Sequence, residues 1–273
     1  MVKLKNLKDN ASQILALTEK NVKLQLRFKF GLITSFITTI ISILMPLIIM
    51  GNLFETRTEI GPWTERNFIV YQFIAYNIIL LKDIITIFPN QFRNEMYWKT
   101  LTALIIGPFN RFNLLLGVFL SRLITISIPF TIFFILGIIF QPISIVNAVI
   151  VLVIFFLIAL IFSGIGLTLG IFAISNENIW KILNFILFFV FWFSCVTYPF
   201  EIFPDFIQVI IRLNPLYYLF DILRITWIQN NIFIAIGLYP YHFLILVLSV
   251  IILPFVGVIL FNRIYKKYGI TGY

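Results

Sequence analysis

The chain has 273 residues, 61% of them hydrophobic and only 11% charged, with a mean hydropathy of +1.04. Soluble domains carry about 25% charged residues, so the chain reads as a polytopic membrane protein, and its net charge of +9 describes topology along the bilayer normal, not an affinity for nucleic acid. One cysteine (Cys195) and one histidine (His242) exclude an intrachain disulfide and a multi-Cys/His metal site, and no glycine precedes a lysine, so the phosphate loop of an ATPase is missing.

Residues 1–29 carry seven basic side chains, among them Lys20, Lys23 and Arg27, beside a helical apolar stripe at Ala11, Leu15, Thr18, Val22 and Leu26, thickened by Ile14 and Leu17. This pattern predicts an amphipathic helix at the membrane surface, its apolar side in the headgroup boundary and its cations on anionic lipid. Phe30 to Leu53 is free of charge and long enough to cross the bilayer as span one. Asn67 to Phe88 follows as span two, expected to stop at Pro89. Phe112 to Phe140, apolar except for Arg122, is span three. Leu123 to Asn176 holds 54 uncharged residues, about 80 Å as one helix, so it folds back at Gln141-Pro142 and spans three and four form a tight hairpin. Span four contains Ser163, Gly164, Gly166 and Gly170; within an apolar run these predict close helix packing, not nucleotide binding. Span five is Ile182 to Phe200 and span six is His242 to Asn262. His242 and Cys195 read as an interfacial anchor and a small hydrophobe.

The predicted fold is therefore an all-α polytopic membrane protein, one domain over residues 1–273 with six transmembrane helices. Both termini then share one side, which holds fourteen Lys and Arg residues against four (Arg57, Arg66, Arg212, Arg224) on the other. The positive-inside rule makes both termini cytoplasmic.

Two inter-span segments carry more information. Residues 90–111 contain Arg93, Glu95, Lys99 and Arg111 with Tyr97 and Trp98, a loop too long for a turn and expected to form short helices. Glu95, Lys99-Thr100-Leu101, Pro108-x-x-Arg111 and Gly117 resemble the first cytoplasmic loop of ATP-binding-cassette type-2 exporter permeases. Residues 198–227 are cut by prolines 199, 204 and 215, with Phe206, Ile207, Ile210 and Leu213 on one face of a short helix. The order Tyr198-Pro199, Phe203-Pro204, Asn214-Pro215-Leu216-Tyr217 and Arg224 is similar to that family's extracellular re-entrant hairpin between spans five and six.

The resemblance implies a transport subunit without catalytic residues, directly bound cofactor or metal. Its ATP and Mg belong to a separate ATPase subunit, and a second permease chain, as homodimer or heterodimer, completes the pathway in the plasma membrane of a prokaryote. It also implies that Arg93, Glu95, Lys99, Thr100 and Leu101 couple to the ATPase and that Tyr198, Pro199, Pro204, Asn214, Pro215 and Arg224 form the outer gate. At Trp98-Lys99-Thr100 the chain departs from the family, which commonly has a glycine before the threonine. With 32 phenylalanines, the expected cargo is amphipathic, lipid-linked or drug-like, moved outward. A polysaccharide or lipid-linked glycan is the alternative within the superfamily. An ion-coupled secondary transporter is the alternative of another class.

Lys82, Asp83 and Arg122 lie inside predicted spans, where a stranded charge costs ~2.5–3.5 kcal/mol. Asp83 and Arg122 are at depths that let the arginine reach the carboxylate, so they are expected to pair. A proton-coupling role for Asp83 is the competing reading.

Overall fold

The computed structural model describes residues 2–27, 29–56, 59–99, 111–175 and 177–270. Helix α1 (Val2–Arg27) leads into α2 (Lys29–Thr56); a two-stranded hairpin, β1 (Glu59–Ile60) and β2 (Trp63–Thr64), precedes α3 (Glu65–Tyr97). Helices α4 (Arg111–Phe140), α5 (Ile145–Ser175) and α6 (Glu177–Trp192) follow, then a single 3-10 turn (Phe200–Ile202) and the short pair α7 (Asp205–Leu213) and α8 (Pro215–Gln229). The described chain closes with α9 (Ile232–Leu238) and α10 (Pro240–Ile270).

Five of the described helices, α2, α3, α4, α5 and α10, are long and apolar enough to cross a membrane. Helix α6 is apolar but has 16 residues, about 24 Å at ~1.5 Å per residue, shorter than the crossing expected over 182–200. The chain stops being helical at Trp192 because side chains from elsewhere capture its carbonyls. Asn214 Nδ2 donates to Val190 O at 2.6 Å, Tyr71 Oη to Cys195 O at 2.5 Å, Arg224 Nη2 to Val196 O at 2.6 Å and Gln72 Nε2 to Thr197 O at 2.8 Å. Cys195 itself has φ 55°, a left-handed conformation that no helix continues through.

The centre of the bundle is α3, whose apolar stretch Asn67–Glu95 is 72% buried within the chain. Ile74, Ile78, Leu81, Ile85 and Phe88 on one face and Tyr76, Asn77 and Leu80 on the other are all covered. It runs through Pro89 to Tyr97, and does not end there as the proline suggests. The ring costs the helix one hydrogen bond, but Phe88 and Phe92 on either side are buried, Phe92 stacking on Phe261 of α10 with ring centroids 5.7 Å apart. By contrast α2, α4 and α10 leave helical stripes uncovered, such as Ile128, Ile132, Ile135 and Ile139 on α4 and Leu244, Leu248, Ile251 and Phe255 on α10. Such stripes face lipid.

Helices α4 and α5 are joined by a short turn at 141–144 but do not pack backbone to backbone. Phe119, Phe130 and Phe134 of α4 meet Phe155 and Phe156 of α5 across the gap, and these rings hold the helices apart. The close neighbours of α5 are α3 and α10, admitted by its glycines. A Cβ on Gly166 would stand 2.7 Å from Ile85 O, and one on Gly164 would stand 2.5 Å from the Leu253 carbonyl carbon. Removing side chains from these positions is what lets backbones approach in a bilayer, where packing replaces the hydrophobic drive.

The predicted stripe of the N-terminal helix is covered only in part. Leu15 and Leu26 are exposed, whereas Leu17, Thr18 and Asn21 are buried. Amides add to the covered face: Asn113 Nδ2 of α4 donates to Asn10 Oδ1 and Gln13 Oε1, both at 2.9 Å, and Thr125 Oγ1 donates to Gln25 Oε1 at 2.7 Å. A Cβ on Gly117 would come 2.7 Å from Leu17 Cβ. Thus α1 lies along α4 through Leu17, Thr18 and its amides, with Leu15 and Leu26 left uncovered.

Candidate functional site

The residues singled out in the sequence fall into three places along α3. At its C-terminal end, Glu95 is buried and accepts a 2.8 Å hydrogen bond from Gln91 Nε2 one turn earlier. Arg93 is half-buried. Tyr97, Trp98 and Lys99 are exposed, and Lys99 has φ 56°, where the helix breaks. Thr100 and Leu101 lie outside the described residues, as does the rest of 100–110. The segment 90–97 is the last two turns of α3, not a separate short helix, so the part of the predicted loop that is described is an extension of the central helix. The surface this end offers is the Tyr97-Trp98 pair, which the charges beside it had overshadowed.

Midway along α3, Arg122 Nη2 of α4 donates to Asp83 Oδ2, an ion pair between helices. Thr86 Oγ1 donates to Asp83 O at 3.0 Å. Replacing Asp83 with asparagine is expected to lower stability by about 1–3 kcal/mol, since a partly buried guanidinium loses its carboxylate, and to leave the pH profile of transport unchanged. Thermal unfolding and transport assays between pH 6 and 8 check both halves, and loss of a pH-coupled step would instead make Asp83 a proton carrier. The neighbouring Lys82 points elsewhere, its Nζ 4.8 Å from the centroid of the Phe191 ring on α6.

At the N-terminal end of α3 the predicted gate residues assemble into a cap. Pro199 and Pro204 precede the 3-10 turn and α7, fixing both with φ near −59° and −58°. Asn214 joins α7 to α8, which meet at 95°. Its Oδ1 accepts from Leu216 N at 3.0 Å, capping α8, and Pro215 fills the first helical position, where no amide is needed. Helix α8 is buried through Leu219, Phe220, Leu223 and Trp227. The predicted apolar face of α7 is uncovered at Phe206, Ile210 and Leu213. Tyr198 packs against the cluster of Met50, Phe54, Trp63 and Tyr71.

The strongest electrostatic feature of the cap is Arg224, 1% exposed, its guanidinium 3.8 Å from the centroid of the Tyr71 ring. It lines a cavity of about 190 Å³ together with Trp63, Tyr71, Glu201, Tyr217 and Asp221. Burial pushes the Glu201 carboxyl above the ordinary glutamate range; the negative charge of Asp221 adds to this and Arg224 opposes it. Glu201 also lies on the β1–β2 turn, where Gly61 (φ 60°) would bring a Cβ to 2.7 Å from Glu201 Cγ. His242 is no lipid-facing anchor. It is 9% exposed, its Nε2 3.1 Å from Asp221 Oδ2, with the rings of Tyr217, Tyr218 and Tyr239 around it. Sequence reasoning missed Tyr71 and Gln72 of α3, whose donors bind the 195–197 turn, because nothing local marks a tyrosine in an apolar helix as a bridge.

Among the described residues no cluster of His, Cys, Asp or Glu could hold a metal ion. An apolar cleft of about 580 Å³ lies between α6, α8 and α10, lined by Phe185, Phe189, Phe193, Leu216, Leu219 and Leu253 among others. A family model described as ABC-2 type transporter matches residues 12–228. No curated protein matches the chain significantly.

Proposed function

The chain belongs to the ABC-2 type transporter family, as a permease subunit and not an ATPase, and from that premise we propose that it is the pathway subunit of an exporter powered by a separate ATPase chain. ATP and its Mg bind the partner, a second permease chain closes the pathway, and both termini of the chain face the cytoplasm of a prokaryotic cell. The 580 Å³ apolar cleft supports an amphipathic or lipid-linked cargo.

The observation that carries the reading is the continuity of α3. One helix runs from Tyr97 at the coupling end to Tyr71 and Gln72, which hold the carbonyls of Cys195 and Thr197 in the cap. A helix so largely buried moves with little bending, and Phe88 and Phe92 are packed on either side of Pro89, so a push at Tyr97-Trp98 and the adjoining 100–110 stretch is carried along α3 to the cap. Closure of the ATPase pair then rocks α3 and releases the outer end at 198–227.

Copurification tests this. Arg93→Ala and Glu95→Ala are each expected to weaken association with the ATPase subunit by at least about tenfold, or ~1.4 kcal/mol, the second by loosening the Gln91–Glu95 turn that presents Trp98. Undiminished pull-down with both variants rejects the assignment of this end. Nucleotide-independent export by the purified chain alone in liposomes rejects the function.

A further inference from the structure

Lys82 forms none of the ion pairs found among the described residues. Lys82 sits near the middle of the apolar stretch Asn67–Glu95, roughly 20 Å along the helix from either end at ~1.5 Å per residue, too far for its side chain to snorkel to water. Its sequence neighbour Asp83 is engaged by Arg122 on α4. Adjacent residues point about 100° apart on a helix, so Lys82 is turned toward α2 and α6 instead. Among the described residues no carboxylate lies within 4 Å of Lys82 Nζ, and its named contact is the face of Phe191. The three charges therefore sum to one uncompensated positive charge in the bundle.

That charge is also accessible. Lys82 is half-buried and lines a cleft of about 190 Å³ between α2, α3 and α6, bordered by Ser42, Phe191, Trp192, Thr197 and Tyr198. Two of the side chains that line it, Phe188 and Trp192 on α6, are apolar and uncovered. A cation held in a cleft with polar edges and greasy rims selects a ligand with an anionic head and an apolar body.

We infer that Lys82 is the anion-recognition residue of the transport pathway and that the cargo is an amphiphile with a phosphate-like head. The inference rests on the permease reading above and deepens it to a substrate class. An anionic bilayer lipid and an exported amphiphile share this head chemistry; the first would sit in the cleft permanently, whereas the second would drive turnover.

The probe is dodecyl phosphate, with dodecyl trimethylammonium and dodecyl glucoside as cationic and neutral counterparts. Binding to the purified full chain in neutral detergent is read from tryptophan fluorescence, with Trp192→Phe identifying the cleft signal. Dodecyl phosphate is expected to bind with a half-point at least tenfold below those of its counterparts. Lys82→Gln is expected to raise that half-point at least tenfold, while Lys82→Arg changes it less than threefold and shows that the site is intact. In the complex with its ATPase, dodecyl phosphate is expected to stimulate ATP hydrolysis of wild type and of Lys82→Arg but not of Lys82→Gln. Equal binding by wild type and Lys82→Gln overturns the inference, and so does tight binding without stimulation, which would make the ligand a resident lipid. Failure of the chain to associate with any ATPase overturns the permease reading instead and leaves the binding result standing.

Discussion

Arg224→Ala is expected to lower the thermal unfolding midpoint by about 10 °C, corresponding to roughly 3–5 kcal/mol, and to abolish transport while nucleotide hydrolysis persists. Three losses coincide at this position. The Val196 carbonyl, at the turn that ends α6, loses the 2.6 Å hydrogen bond that satisfies it. The Tyr71 face loses its cation, and a cavity opens where a side chain 1% exposed had been. Glu201 and Asp221 then share the 190 Å³ cavity without the positive charge that offsets them. Arg224→Met separates these effects, since it restores volume but neither charge nor hydrogen bond. It is expected to recover part of the stability and none of the transport. Unfolding followed by tryptophan fluorescence, with paired ATPase and transport assays, checks the prediction. Full transport by Arg224→Met would show that the arginine only fills space.

Gly164→Ala is expected to cost about 3 kcal/mol, the upper part of the range for overpacked sites, from a single added methyl group. Its Cβ would stand 2.5 Å from both Leu253 C and Pro254 N, which are backbone atoms that no rotamer change can move aside. The contact is reciprocal, since a Cβ on Gly257 would stand 2.7 Å from Gly164 O. Accordingly Gly164→Ala and Gly257→Ala should combine to less than the sum of their separate costs, because the first already parts α5 from α10. Gly51→Ala and Gly237→Ala, where a Cβ would meet nothing within 4 Å, are the controls and should differ from wild type by less than about 1 kcal/mol, with the better helix propensity of alanine on their side. Unfolding midpoints of the four single variants decide the matter, and a Gly164→Ala protein as stable as the controls would remove the helix contact from the account.

The predicted elements succeed and fail for reasons particular to each. Apolar runs at 30–53, 112–140 and 242–262 mark helices correctly, because the bilayer imposes length and hydropathy on each segment separately. The glycines of α5 announce close packing, and the geometry at Gly164 and Gly166 bears this out. Asp83 and Arg122 meet as their depths suggest. Pro89, read as a stop, lies inside α3, and the crossing expected to Phe200 ends at Trp192. Both departures arise from contacts distant in sequence: Phe261 on Phe92 in one case, and the side chains of Tyr71, Gln72, Asn214 and Arg224 on the turn after α6 in the other. The β1–β2 hairpin and α9 were overlooked, although Gly61-Pro62 and the Asn230-Asn231 pair are recognisable turn and cap signals.

The candidate site divides in the same way. The segments 90–111 and 198–227 stand out in the sequence because charges and prolines interrupt apolar runs. Which side chains act there does not, since the exposure of Trp98, the burial of Glu95 and the approach of His242 to Asp221 depend on how helices pack.

By itself, the sequence determined that this protein lives in a membrane, where its helices lie and that it carries no phosphate loop of its own, because hydropathy, charge and motif are properties of short stretches of chain. Only the tertiary structure decided that α3 is the axis joining the two ends, that α1 lies against α4, and that Lys82 is left over once Asp83 is taken. Partners for a buried donor, carbonyl or charge are chosen among residues more than twenty positions apart, and that choice is made by packing.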